Sequence, residues 1–220
     1  MNEIKGLVIS SIDYKEKSKV VYLYTPNGHD SVKAYQSKDF KKGLLGFTTT
    51  LNEVSYVKTN SKFSTLMEYS VLNNNFKLTE SVDILNCVFK ILEVIKAIPE
   101  ESDHKRIYDY IITTINNLNN HNPKKVLALF LIKMLHTFGV TPNLKHCIKC
   151  GSTNIQFLSI SHGECYCGSC TSYNNIDKYK IWYEYYYDKK NTEMYSEVDY
   201  DNLLNDIYSY YSNHVHINIK

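Results

Sequence analysis

The 220-residue sequence predicts a multi-domain α+β protein: a small β-barrel or sandwich, then a helical domain, with a four-cysteine metal-binding insertion. Three observations predict it. Runs of β-branched and aromatic residues crowd residues 1–72. Apolar residues at helical spacing take over near Phe76. Two Cys-x-x-Cys pairs lie between residues 147 and 170.

The strands come first. Residues 6–12, 19–25, 54–57 and 66–72 have the composition of a pleated, half-buried surface. Pro26-Asn27-Gly28 marks a turn between two such runs. Roughly five short strands in this span suit a small barrel or sandwich. Helices follow. Ile84, Leu85, Val88, Phe89, Leu92 and Ile95 recur at helical spacing as far as Pro99. Ile107, Tyr110, Ile111, Thr114, Ile115 and Leu118 mark a second helix. A third is punctuated by Asn122 as its cap, Pro123 in its first turn and Gly139 past its end. Its centre, residues 126–132, is apolar on most sides and belongs in the middle of a bundle. Cys87 falls among apolar positions and reads as a small packed hydrophobe. Residues 178–187 and 199–213 are rich in Tyr; their periodicity fits strand or helix, and one or two helices are expected. The segments are thus 1–75 (strands), 76–143 (helices), 144–172 (cysteines) and 173–220 (C-terminal helices).

Composition narrows the function classes. Apolar residues are 43% and charged residues 22%, ordinary globular usage, which excludes wholesale disorder. Arg106 is the single arginine and Tyr numbers 20, a skew expected of an AT-rich genome. The net charge is +2, unevenly spread: residues 1–70 hold ten lysines against seven acids, residues 147–220 six against nine. No run approaches the ~18–20 apolar residues of a membrane span, and the first residues lack a signal-peptide pattern. The expected location is the cytoplasm, where six cysteines are metal ligands or thiols rather than disulfides. There is no phosphate-binding loop, dinucleotide fingerprint or nucleophile elbow, so no enzyme is expected.

Cys147-Ile148-Lys149-Cys150 and Cys167-Gly168-Ser169-Cys170, sixteen residues apart, have the spacing of two zinc knuckles. Each tight turn presents two thiolates, and four close the tetrahedral shell, so one zinc ion here is structural. Cys165 is a third thiol on the second strand. The strand period puts it on the same face as Cys167, so either could be a ligand; pairing Cys167 with Cys170 repeats the first knuckle. His146 and His162 read as flanking, solvated residues.

The other candidate site is basic. Lys15, Lys17 and Lys19 precede or open the second strand. Lys33, Lys38, Lys41 and Lys42 follow the Pro-Asn-Gly turn, interleaved with Tyr35 and Phe40. Lysines beside exposed aromatics on a small barrel attract phosphates and stack bases; a merely solvated surface is the competing reading. Lysine is a point charge without arginine's fork, so any such contact is blind to sequence.

These residues resemble a known family, the bacterial recombination mediator and DNA repair protein RecO. The resemblance runs through Gly6-Leu7-Val8-Ile9, Tyr14-Lys15-Glu16-Lys17-Ser18, Leu23-Tyr24-Thr25 and Gly43-Leu44-Leu45-Gly46 with Phe47. Its most specific piece is Phe138-Gly139-Val140-Thr141-Pro142-Asn143-Leu144 leading into Cys147-Ile148-Lys149-Cys150-Gly151. It implies an N-terminal OB-fold β-barrel, a helical domain and a four-cysteine zinc-binding insertion. It implies binding of single- and double-stranded DNA, strand annealing, and recombinase loading on strands coated by single-stranded DNA-binding protein. RecR and the acidic tail of that coating protein are the implied partners, and a cytoplasmic, nucleoid-associated location follows. A groove bordered by Lys124, Lys125, Lys133 or Lys145 is the expected seat for the tail. The alternative function is a zinc-knuckle scaffold that holds proteins and not DNA.

Overall fold

The computed structural model describes residues 3–39, 43–187 and 196–219. β1 (Ile4–Tyr14) and β2 (Ser18–Thr25) form an antiparallel hairpin. Lys15 takes a left-handed conformation at its tip (φ 56°). At the other end Gly28, at φ 103°, closes the predicted Pro-Asn-Gly turn into β3 (Gly28–Ala34). Only glycine adopts such an angle without strain. Thr25 Oγ1 tightens the turn by donating to Gly28 O (2.9 Å) and accepting from Asn27 N (3.1 Å). β4 (Glu53–Lys58) pairs with β1 on its far side, and β5 (Leu66–Asn73) pairs with β4.

The five strands form one antiparallel sheet in the order β3-β2-β1-β4-β5. It curls around a core of Val8, Val21, Leu23, Val32, Ala34, Val54 and Tyr56, capped by Phe47 of the one-turn helix α1 (Leu45–Thr48). Fully burying side chains of this kind stabilises by about 1.5–3 kcal/mol each. The expectation of a closed barrel is corrected here. The edge strands meet only at a single parallel bridge, Lys33 to Thr65. A register shift between Val57 and Lys58 bends the β4–β5 end, as bulges do. β3 stops at Ala34, where the chain turns away through Gln36 (φ 56°). No strand length remains to extend the bridge into a ladder.

After a 3-10 turn at Phe76–Thr79 come α2 (Val82–Lys96) and α3 (His104–Asn117). Ser81 caps α2 and Asp103 caps α3. Their apolar stripes, including Val88, Ile91, Ile95, Ile111 and Ile115, are buried, as is Cys87. Side-chain bonds staple them to the sheet, among them Asn73 Nδ2 donating to Asn116 Oδ1 (3.3 Å). Tyr24 Oη lies 2.9 Å from His104 Nδ1, His29 Nε2 lies 2.9 Å from the Ile95 carbonyl, and Tyr108 Oη donates to Glu53 (3.0 Å).

The chain divides into two compact units, Met1–Asn120 and His121–Lys220. The boundary falls inside the stretch read from sequence as one helical domain. α2 and α3 go with the sheet that they are bonded to. The second unit starts with α4 (Pro123–Met134), where Asn122 Oδ1 accepts from Lys124 N and Lys125 N as its cap. α4 ends before Gly139, and hydrogen-bonded turns carry the chain to it at φ 70°. A hairpin of β6 (Ile155–Ser159) and β7 (Glu164–Cys167) follows, then α5 (Ile176–Tyr187) and α6 (Glu197–His214). Both Tyr-rich segments are therefore helices. Their tyrosines do core work with a polar end: Tyr211 Oη donates to Leu131 O and Tyr210 Oη to Val140 O, each at 2.8 Å. Among the described residues no helix is long and apolar enough to cross a membrane.

Candidate functional site

The cysteine centre is built by two turns and a hairpin. After Cys147 the chain reverses, with Gly151 N donating to Cys147 O (2.9 Å) and Cys147 N to Ser152 O (2.8 Å). Gly151 sits at φ 74°, which a side chain would strain. The second turn is closed by Cys170 N donating to Cys167 O (3.0 Å). A Cβ at Gly168 would meet the end of the Gln156 side chain, which would have to shift. Ile148 N donates to Cys165 O (2.9 Å), which docks the first turn on β7.

The result gathers Cys147, Cys150, Cys167 and Cys170, whose sulfurs all lie within 4.8 Å of one another. Cys150 Sγ is 3.5 Å from Cys167 Sγ. Zinc–sulfur bonds of about 2.3 Å place tetrahedral sulfurs about 3.8 Å apart, so the donor set fits such an ion. Protonation points the same way. Burial opposes ionisation of Cys147, but amides of Cys167, Cys150 and Lys149 aimed at its sulfur pull it down to about 6. A hydrogen bond from Cys150 lowers Cys167. Cys170 is pushed up to about 12 by Cys150 and Cys167. Four thiolates packed this closely cannot all ionise without a cation among them. Cys165 lies outside the cluster. Its side chain is fully buried, and burial, then Cys147, pushes its thiol up to about 12. His146 is exposed, and His162 Nδ1 is held by the hydroxyls of Ser159 (3.0 Å) and Ser161 (2.9 Å).

The basic candidates gather at one end of the sheet. Lys15 and Lys17 are exposed in the β1–β2 turn, and Lys19 stands opposite Asp13 in the hairpin. The segment after β3 folds against this turn: Lys38 N donates to Lys17 O (3.3 Å) and Gln36 N to Ser18 Oγ (3.3 Å). Tyr35 is exposed there. Lys38 is committed elsewhere, to an ion pair with Asp13 at 2.7 Å. That hydrogen bond, with Lys38 and Lys19 charge, holds the Asp13 carboxyl below its ordinary range. Lys41 and Lys42, with Phe40, lie outside the described residues. Lys33 is the best-framed cation. Its Nζ lies 4.9 Å from the Tyr14 ring centre and 4.5 Å from that of Phe63. Sequence reasoning misses Phe63, although a lone aromatic beside Lys62 in a Ser-rich turn is an available signal; it is 66% exposed.

The lysines expected to border a groove are engaged within the second unit. Lys124 pairs with Asp201 (2.8 Å), Lys133 donates to Tyr186 O (2.8 Å), and Lys145 lies 5.8 Å from the Tyr187 ring.

Comparison with known proteins covers the cysteine site. The family model "Recombination protein O C terminal" matches residues 83–181, which hold α2 to α4, the hairpin and all four clustered cysteines. The DNA repair protein RecO of Caldicellulosiruptor saccharolyticus is 24% identical over 182 residues, covering 79% of this chain and 73% of its own. That of Listeria monocytogenes serotype 4b is 25% identical over 175 residues, 77% of this chain and 69% of its own. That of Bacillus pumilus is 23% identical over 182 residues, 80% of this chain and 70% of its own.

Proposed function

Because the chain belongs to the RecO family of DNA repair proteins, with its role in repair and recombination, we propose that it acts by binding and annealing DNA without catalysing a reaction. The observation that carries this reading is the Lys33 ammonium between the Tyr14 and Phe63 rings, beside the exposed Lys15 and Lys17. Rings and ammonium groups on one surface serve bases and phosphates together. Lys15, Lys17, Lys19, Lys33, Lys41 and Lys42 would neutralise phosphates, while Tyr35 and Phe63 would stack bases. Lys38 would contribute little while it holds Asp13.

The sheet is an open relative of the barrel that the family resemblance implies. Its strand order, with one parallel bridge between the edges, suits the partly open five-stranded OB architecture. Cys147, Cys150, Cys167 and Cys170 would hold one zinc ion, which when bound crosslinks the two turns and neutralises the thiolates. The four sulfurs would complete its shell, so its part is structural. In this reading the protein works at the nucleoid with RecR and with the acidic tail of single-stranded DNA-binding protein, and helps recombinase onto the coated strand. A tail seated near α4 would compete with Asp201 for Lys124.

The test is annealing of labelled complementary oligonucleotides. The full chain should accelerate it, and Lys33→Gln combined with Phe63→Ala should slow it about tenfold or more, given about 1–3 kcal/mol per stacked base. Absence of acceleration by the parent protein rejects the annealing role.

A further inference from the structure

Beside the cysteine cluster lies a cleft of about 380 Å³ lined by Lys149, Phe157, Ser159, His162, Tyr166 and Tyr173, among others. Three of these are rings, with Phe157 in contact with both tyrosines. Phe157 lies 5.5 Å from Tyr173 and 6.1 Å from Tyr166, centre to centre. Tyr173 is 69% exposed, so most of its ring is open to solvent. The floor is fixed in place. Tyr166 Oη donates to Glu164 (2.7 Å), and Asn175 ties the segment after Tyr173 to β6 through Leu158 N (2.8 Å) and Leu158 O (2.9 Å).

Polar groups at the rim match the backbone of a nucleic acid. Lys149 Nζ lies 5.8 Å from the Tyr166 ring centre and has no ion pair among the described residues. His162 Nδ1 is occupied by two serine hydroxyls, while Nε2 has no partner among the described residues. When Nδ1 accepts from either hydroxyl, Nε2 carries the proton and is offered as a donor.

We propose that this cleft seats an unstacked base of a single-stranded nucleic acid, stacked on Tyr173 and Phe157, with Lys149 and His162 on the adjoining phosphate. It deepens the DNA-binding reading above and rests on it, but places a contact on a different unit of the chain. Electrostatics set its character. Four thiolates around one zinc ion leave a net charge of −2 close by, and Glu164 adds another negative charge. Positive charge at the cleft therefore falls to Lys149, with His162 as a neutral donor, and stacking dominates. The contact should discriminate bases from abasic sites and single strands from duplex, and it should add at most one phosphate to the salt dependence.

The experiment is a fluorescence-anisotropy titration of the full zinc-loaded chain with a labelled oligo-dT, the same length with abasic sites, and a duplex. Tyr173→Ala should weaken oligo-dT binding roughly five- to hundredfold, leave duplex binding and the salt slope unchanged, and reduce the preference over the abasic strand. Tyr173→Phe should restore it. Lys149→Gln should reduce the log–log salt slope by about 0.7. If Tyr173→Ala and Lys149→Gln bind like the parent while Lys33→Gln with Phe63→Ala does not, the cleft proposal is overturned and the sheet reading stands. If only the cleft variants lose binding, the cleft holds DNA and the sheet does not. A parent protein that binds none of the three probes overturns both.

Discussion

Two cysteines two residues apart show how finely the site is set at the level of single residues. Cys165 and Cys167 share one face of β7 and both are buried, yet only Cys167 joins the cluster. Spacing alone leaves the two equivalent. What separates them is the turn after β7, closed by Cys170 N on Cys167 O, which swings Cys170 back beside Cys167. Cys147→Ser should therefore lower the zinc content from about one ion per chain to none, and amides of 147–170 should lose hydrogen-exchange protection. Cys165→Ser should keep the ion while destabilising the fold by about 1–3 kcal/mol, because a hydroxyl replaces a thiol in a dry site. Retention of zinc by the first variant, or its loss in the second, would reverse the assignment. Phe63 illustrates the opposite limit. Nothing in a local window says that a residue in the β4–β5 turn will face Lys33 of β3; that contact exists only because the sheet curls.

At the level of elements, local chemistry explains most starts and fewer ends. Asn122 and Pro123 fix the first turn of α4 by capping and by a preset φ, and the structure has both where the sequence places them. Asn122→Ala should cost about 1 kcal/mol, read as a shift of the urea midpoint at unchanged slope. No shift would mean that packing alone holds this helix end. The helix stops before its glycine because hydrogen-bonded turns complete the distance, a choice that belongs to packing. The Tyr-rich segments are ambiguous in sequence for a related reason. A tyrosine serves a strand and a helix equally, and the tertiary partners of α6, the carbonyls of Leu131 and Val140 reached by Tyr211 and Tyr210, lie far away in sequence. The barrel expectation fails at its seam. Strand count and turns are legible, but whether two edges pair along their length depends on a bulge and on where β3 ends.

For the whole molecule, the division into units changes what the charge means. Split by sequence thirds, the lysines make a basic front. Split at Asn120, each unit carries +1, fifteen basic residues against fourteen acidic and ten against nine. In the proposed reading, attraction to DNA would therefore be a property of one end of the sheet, where Asp13 and Glu16 lie beside the lysines. Stability has its own pH signature. Burial first, then nearby carboxylates, raises Tyr24, Tyr56 and Tyr108 well above the ordinary tyrosine value of 10.0, and burial pushes Tyr210 to about 12. The folded chain holds these protons more tightly than the unfolded one. Their stabilisation is complete below pH 10 and is lost as pH rises through 10 toward 12 and beyond. A tyrosinate absorbance titration should show a late, cooperative phase that coincides with unfolding. All tyrosines titrating near 10 with the fold intact would contradict the burial described here.

The claim that this chain holds DNA through lysines at the sheet end is tested most directly by the salt dependence of its affinity for a single-stranded oligonucleotide. With Lys15, Lys17 and Lys33 each meeting a phosphate, these three should contribute about −2 to the slope of log affinity against log salt, at about −0.7 per phosphate. Replacing all three lysines by glutamine should flatten the line and weaken binding. An affinity indifferent to salt, or a slope unchanged in the triple variant, would contradict it.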